Sequence, residues 1–328
     1  MPKRKAKDLI TFKRLDLVVR YLYAKDILSD CSNADILSLY KRTVLMRTGG
    51  IEPMSEYGDS TKSCIDDYVT QFKNLIVSLQ KKGFDPNYPI PICPNGYLAN
   101  GAHRIAAAAA LEFDVEVEHV EKGHRIDFGW FVENGFSTED KMRILKGFVD
   151  IHPQNSAIIV VWNPSFKYAG HINAFINEEL DITGEIELDF ENHYIAFQNA
   201  LLDIYEPNNS WTKLSQKGDE TIVKKAELLA CHYLSFRVIA ATNQDKSKDK
   251  DIHDVMTNIK GKVRDFIDAA DPHLPKNIFA TIHTSSNVNE CRYLSEVLLS
   301  PNNVKHLKMR LGCGYEEKFF EYCSNLKT

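Results

Sequence analysis

The chain has 328 residues, of which 44% are hydrophobic and 26% are charged, and its formal net charge is −5. This composition is ordinary for a soluble globular protein, and the length is sufficient for two domains with separate cores. The net charge excludes the bulk positive field of a dedicated nucleic-acid-binding protein. No apolar run approaches the roughly 18 residues of a membrane span, and no signal peptide follows the basic opening MPKRKAKD. We therefore expect a cytoplasmic protein whose seven scattered cysteines are reduced.

The first part of the chain predicts helices followed by a small sheet. Apolar residues recur at three- and four-residue spacing in FKRLDLVVRYLYAKDI, NADILSLYKRTVLMR and KSCIDDYVTQFKNLIVSLQKKG. Gly83 is expected to end the third of these helices. Next come a short strand PIPIC, a turn, an alanine-rich helix IAAAAAL and the alternating strand VEVEHV. The pattern predicts one module over residues 1–125, followed by a helical connector over 126–155.

The second half, residues 156–328, alternates between strands and helices. The predicted strands are AIIVVWN, GEIELDF, LSFRVIAAT and NIFATIH, and the predicted helices are HINAFINEEL, NHYIAFQNALLDIY, NECRYLSEVLL and segments near 219–232 and 251–269. This alternation predicts a sheet with helices packed on it, so we expect an α/β or α+β fold. We assign these residues to a substrate or partner domain.

The residues NGAHR, Asn100 to Arg104, lie where the alanine-rich helix is predicted to begin. Unpaired N–H groups at a helix start, together with the guanidinium of Arg104, form a site for an anion such as phosphate. Gly101 would let the backbone approach the phosphate, Ala102 keeps the approach uncrowded, and His103 can donate a hydrogen bond or move a proton. A capped helix with Asn100 as N-cap, His103 in a hydrogen-bonded loop and Arg104 as a surface charge explains the same pattern.

The stretch from GFDPNYPIPICPNGYLANGAHRIAAAAAL through VEVEHV resembles the ParB/sulfiredoxin superfamily, in which a G-x-H-R turn stands between a strand and a small-residue helix. The resemblance implies a nucleotide-binding module in which Asn100 to Arg104 hold the phosphates of ATP or another nucleoside triphosphate. It also implies an acidic base before the long helix, and Glu52 lies in about that region; a solvated loop carboxylate is the alternative interpretation. The family often has Asp where this chain has Asn100, whose amide cannot take a proton. Glu52 or His103 would then act as the base, or the site binds without catalysis.

The resemblance leads us to expect a small-molecule kinase. Such an enzyme would transfer a phosphoryl group from ATP, with Mg²⁺, to a hydroxyl of an amino acid or a sugar-related alcohol. The alternative is a nucleotide-dependent DNA-binding protein of the ParB partition type, but residues 126–150 predict only a short mixed-charge helix instead of a basic helix-turn-helix. A sulfinic acid reductase is disfavoured because Ala102 stands where those enzymes have cysteine. The expected partners are a nucleotide and a small-molecule substrate, without nucleic acid or membrane.

Two further stretches contain residues typical of functional sites. In KNIFATIHTSSNVNECRYLSEVLL, His283 is predicted at the end of a strand, and Ser285, Ser286 and Asn287 are natural N-caps for the following helix. The stretch weakly resembles the histidine segment of nucleoside diphosphate kinases but lacks its glycine, so we expect His283 to lie near a site or to cap the following helix. Residues 123–125 repeat the letters GHR and are expected to form a loop; added contacts to the phosphate are the alternative interpretation.

Overall fold

The computed structural model describes residues 2–49, 62–190, 193–205, 234–272, 274 and 281–309. The chain divides into two compact units, Met1–Ile151 and His152–Thr328. Both units combine helices and strands, which confirms the predicted mixed fold class. Of the predicted connector, residues 126–151 belong to the first unit.

The first unit follows the predicted order of helices, strand, helix and strand. Its elements are β1 (Lys3–Lys5), α1 (Asp16–Leu28), α2 (Ala34–Arg47), α3 (Ile65–Lys82), β2 (Ile90–Ile92), α4 (Ala102–Ala110), β3 (Asp114–His119), α5 (Phe128–Glu133) and α6 (Thr138–Ile151). Gly83 is the C-cap of α3, as predicted. Strand β1 was not predicted, because the basic opening carries no apolar alternation.

The sheet of the first unit places the start of α4 beside β2. Its strands run in the order β1-β3-β2, with β1 antiparallel and β2 parallel to β3. Parallel neighbours need a crossover connection, and here α4 supplies it. Residues 105–110 of α4 are all buried, and α1 packs on them. Small alanine side chains allow this close approach, which brings the start of α1 towards the start of α4.

Helix α6 packs closely against α1 at a glycine. A Cβ atom built on Gly147 would lie 2.7 Å from Cγ1 of Val18 and 3.1 Å from Cδ1 of Leu22, so a side chain there would displace α1. Phe148 and Ile151 join the same hydrophobic core. The helix therefore stabilises the first unit and is part of it.

The second unit is built on a sheet in which every neighbouring pair of described strands is antiparallel. Its elements are β4 (Ser156–Trp162), α7 (Ala169–Glu179), β5 (Asp181–Asp189), α8 (Tyr194–Tyr205), β6 (Ser235–Thr242), α9 (Ile252–Ala270), β7 (Ile282–Thr284), α10 (Val288–Leu299) and α11 (Pro301–Met309). The strand order is β5-β6-β4-β7. Apolar residues of α7 and α9 share one core with β4 and β6. The helix expected near 219–232 lies outside the described residues.

Candidate functional site

Helix α4 begins where the sequence predicts, at Ala102, but its N-cap is Gly101 rather than Asn100. Gly101 has φ 86°, a left-handed conformation that glycine adopts without steric penalty. This turn leaves Asn100 one residue outside the helix, where its Oδ1 accepts a hydrogen bond from the N–H of Gly101 at 2.6 Å. The alternative interpretation, in which Asn100 is the N-cap, is therefore wrong, and the amide of Asn100 instead hydrogen-bonds within the turn.

Arg104 lies over Gly101 and is not a free surface charge. A Cβ on Gly101 would be 3.0 Å from Cδ1 of Ile90 and 3.2 Å from Nη2 of Arg104. Nη1 of Arg104 donates to the main-chain oxygen of Tyr88 at 2.5 Å. Burial lowers the pKa of Arg104, and the carboxylate of Glu118 acts in the opposite direction. The guanidinium is therefore held against the backbone of the turn, with donors left for an anion.

His103 is fixed by aromatic residues of the preceding helices. Its Nε2 lies 3.0 Å from the hydroxyl of Tyr40, and its ring meets Phe72 edge-on with the ring centroids 4.8 Å apart. Burial, and after it the positive charges of Arg20 and Lys62, lower the pKa of His103 well below its usual value. His103 is therefore neutral near pH 7, and its lowered pKa makes it a weaker proton acceptor than an ordinary histidine.

Two arginines and one aspartate form a buried cluster at the start of α1. Asp16 is fully buried; its Oδ1 accepts from Nε of Arg14 at 2.8 Å, and its Oδ2 accepts from Nη2 of Arg14 and Nη1 of Arg20, both at 2.9 Å. Burial alone would raise the pKa of Asp16, but the charges of Arg14 and Arg20 bring it to about 2. Asp16 is thus ionised, and the cluster carries a net positive charge.

These groups face one cavity of about 670 Å³ in the first unit. The residues from Asn100 to Arg104 all line this cavity, so the structure brings these predicted site residues together. Glu52, the remaining predicted site residue, lies outside the described residues. The cationic lining side chains are Arg14, Arg20, Arg47, Lys62 and Arg104, and among the described lining residues the only carboxylate is Asp16. The cavity is therefore strongly cationic and suited to a multiply charged anion.

Several lining residues were not identified from the sequence. Arg14, Arg20, Arg47 and Lys62 come from segments that the family pattern does not cover. The detectable signal is Asp16 and Arg20 at i,i+4 within the otherwise apolar run LDLVVR, since such charges are rarely buried without partners.

The second GHR stretch also reaches this cavity. His124 lines it, and its N–H donates to the oxygen of Leu98 at 2.9 Å. A Cβ on Gly123 would be 2.8 Å from the backbone of Tyr97, so only glycine allows the loop to lie so close. Burial, followed by the charges of Arg47 and Arg14, lowers the pKa of His124. The loop that the sequence predicts is therefore one wall of the pocket.

In the second unit, His283 belongs to a buried polar network. Its Nε2 lies 3.3 Å from Oε1 of Glu290, whose other oxygen accepts from the N–H and hydroxyl of Ser286 at 2.7 and 2.5 Å. Asn287 is the N-cap of α10, with its Oδ1 accepting from the N–H of Glu290. Burial raises the pKa of Glu290, but His283 and Ser286 bring it to about 2. The cap is therefore Asn287 and not His283, which instead contacts Glu290 in the first turn of α10.

Comparisons with protein-family models, with curated proteins and with solved structures find no match. Within the described parts of the chain, no helix is long and apolar enough to cross a membrane.

Proposed function

We propose that the protein is an ATP-dependent phosphotransferase whose acceptor is a hydroxyl of a small metabolite, such as an amino acid or a sugar-related alcohol. The observation that carries this proposal is that the start of α4 and five cationic side chains line one cavity. Phosphates are bound by N–H groups at helix starts and by guanidinium groups. The volume of the cavity, about 670 Å³, lies within the range of small-molecule binding sites. A nucleotide therefore matches the cavity in both size and charge.

The residues of the cavity supply what phosphoryl transfer needs most, which is positioning and neutralisation of charge. Arg104 and the first N–H groups of α4 would hold the phosphates against the Gly101 turn. Arg20 and Lys62 would neutralise charge that develops on the transferred group. Among the described residues no acidic or histidine cluster forms a metal site, and Asp16 is occupied by two arginines. A Mg²⁺ ion would therefore be held mainly by the phosphate oxygens and would add Lewis-acid charge stabilisation.

The acceptor hydroxyl needs a base, for which two residues remain. Asn100 cannot take a proton. His103 lines the cavity wall in its neutral form, which leaves one ring nitrogen as an acceptor, but its lowered pKa makes it a weak base. Glu52 stays the first candidate from the sequence, with His103 the second.

No described feature favours the DNA-binding alternative. Arg143 of α6 is engaged with acidic neighbours, since its Nη2 lies 2.6 Å from Asp35 and 3.8 Å from Glu139. A basic helix free to follow a DNA backbone is the feature that a partition-type protein would need. The test of the proposed function therefore also measures DNA binding.

The proposal is tested by incubating the full-length protein with ATP, Mg²⁺ and a panel of hydroxylated amino acids and sugar alcohols. Phosphorus NMR should show ADP and a new phosphomonoester with one acceptor class and neither product when the acceptor is omitted. Absence of both ATP binding and ADP formation would contradict the proposal. Tight DNA binding that responds to the nucleotide would replace it with the partition-type function.

A further inference from the structure

The carboxylate of Asp16 is entirely engaged in holding two guanidinium groups. Arg14 approaches it side-on through Nε and Nη2, a bidentate geometry that fixes the guanidinium plane. The remaining Nη1 of Arg14 donates to the main-chain oxygen of Leu98 at 2.8 Å, just before the Asn100 to Arg104 turn. Arg14 therefore connects the start of α1 to the loop that leads from β2 into α4.

Arg20 is held by the same carboxylate but retains unused donors. Its Nη1 donates both to the main-chain oxygen and to Oδ2 of Asp16, each at 2.9 Å. Arg20 is only 4% exposed, lines the cavity and makes no other hydrogen bond within the part of the chain that the structure describes. A buried guanidinium with unused donors on a cavity wall indicates an anionic ligand, because buried donors are normally paired.

We propose that Asp16 is a positioning residue for the anionic substrate: it holds Arg14 and Arg20 in place, so that Arg20 can bind a phosphoryl group of the nucleotide. This inference rests on the proposed function. It identifies a tetrahedral polyanion as the ligand of this wall of the cavity. Asp16 does not contact the substrate, since both of its oxygens are occupied by arginine.

Positioning and simple charge effects predict opposite results when Asp16 is neutralised. Asp16→Asn keeps the shape of the side chain and removes one negative charge from the cavity. If Asp16 contributed only charge, the cavity would become more positive and the affinity for a polyanion would rise. If it positions the arginines, the affinity falls although the electrostatic balance has become more favourable, because the guanidinium groups are no longer fixed.

The experiment is calorimetric titration of the full-length protein with ATP and, separately, with inorganic tripolyphosphate. The variants are Asp16→Asn and, as a control for lost stability, Ile144→Ala, which removes a buried side chain of α6 outside the cavity lining. We expect Asp16→Asn to weaken binding of both probes by about tenfold or more, the scale of one lost charge-assisted hydrogen bond. Ile144→Ala should lower thermal stability and leave both affinities unchanged.

Equal or tighter binding by a folded Asp16→Asn variant overturns the inference while leaving the proposed function intact. If this variant does not fold, Arg20→Lys decides the question, because lysine keeps the charge but cannot make the two Nη1 bonds and still present a second nitrogen. Weaker binding of both probes to Arg20→Lys supports the inference, and unchanged binding overturns it. A wild-type protein that binds neither probe contradicts the proposed function together with this inference.

Discussion

Replacing Gly101 by alanine tests the geometry of the turn before α4. The residue has φ +86°, a conformation that costs an alanine about 1–2 kcal/mol. The added Cβ would also lie 3.0 Å from Ile90 and 3.2 Å from Arg104, and relieving such crowding typically costs a further 1–3 kcal/mol or so. We therefore expect Gly101→Ala to lower the free energy of unfolding of the first unit by about 2–5 kcal/mol.

Gly96 provides a matched control in the same unit. It has φ +80°, but a Cβ there would meet nothing within 4 Å. Gly96→Ala should therefore lower the free energy of unfolding only by the cost of a positive φ for alanine, about 1–2 kcal/mol. Native-state hydrogen exchange of the buried amides of α4 measures both variants within the first unit alone, which avoids a two-state assumption for a protein of two units.

The difference between the two variants isolates the contact with Ile90 and Arg104. Gly101→Ala should also weaken ATP binding, since the guanidinium of Arg104 must move away from the new methyl group. Equal opening free energies for the two variants would refute the close approach of Arg104 to the turn. No loss of stability in either variant would refute the left-handed backbone at these glycines.

Three further predictions concern pH, DNA and the base. The pKa of Asp16 is about 2 in the folded protein, against 3.8 ordinarily. The ionised carboxylate therefore adds roughly 2 kcal/mol to the free energy of unfolding above the unfolded pKa, and this contribution is lost as the pH falls from about 5 to 2. Urea unfolding across this range measures the loss, and a flat profile would contradict the buried cluster. Fluorescence anisotropy with duplex DNA should show no tight, salt-sensitive binding, whereas sub-micromolar affinity with a steep salt slope would favour the partition-type alternative. Glu52→Gln should lower kcat by roughly a hundredfold with little change in nucleotide affinity, and undiminished turnover would transfer the role to His103.

Apart from β1, the main helices and strands of the first unit were predictable because each has its own sequence signal. The apolar spacing of α3, the alanines of α4 and the alternation of β3 all appear where the structure has these elements. The interpretation with Asn100 as N-cap places the cap one residue too early, because either an asparagine or a glycine can occupy that position. The positive φ of Gly101, which only the structure shows, identifies Gly101 as the N-cap.

The cationic cavity was only partly predictable because most of its charges come from distant parts of the chain. The residues from Asn100 to Arg104 form a continuous motif, whereas Arg14 and Leu98, joined by a hydrogen bond, are 84 residues apart. Asp16 and Arg20 could be noticed as charges in an apolar helix, but their partners depend on how α1 packs against α4. The sequence therefore indicates only the residues from Asn100 to Arg104, and tertiary packing brings the other lining residues to them.

Titration of the full-length protein with ATP, comparing wild type with Arg104→Ala and Arg143→Ala, tests the central claim most directly. Both changes remove one guanidinium from the first unit, but only Arg104 lines the cavity. The proposed site predicts that Arg104→Ala weakens ATP binding by about tenfold or more, with only the modest loss of thermal stability expected from the missing hydrogen bond to Tyr88, and that Arg143→Ala binds as wild type does. Wild-type affinity in Arg104→Ala, or an equal loss in both variants, would contradict phosphate binding at the start of α4.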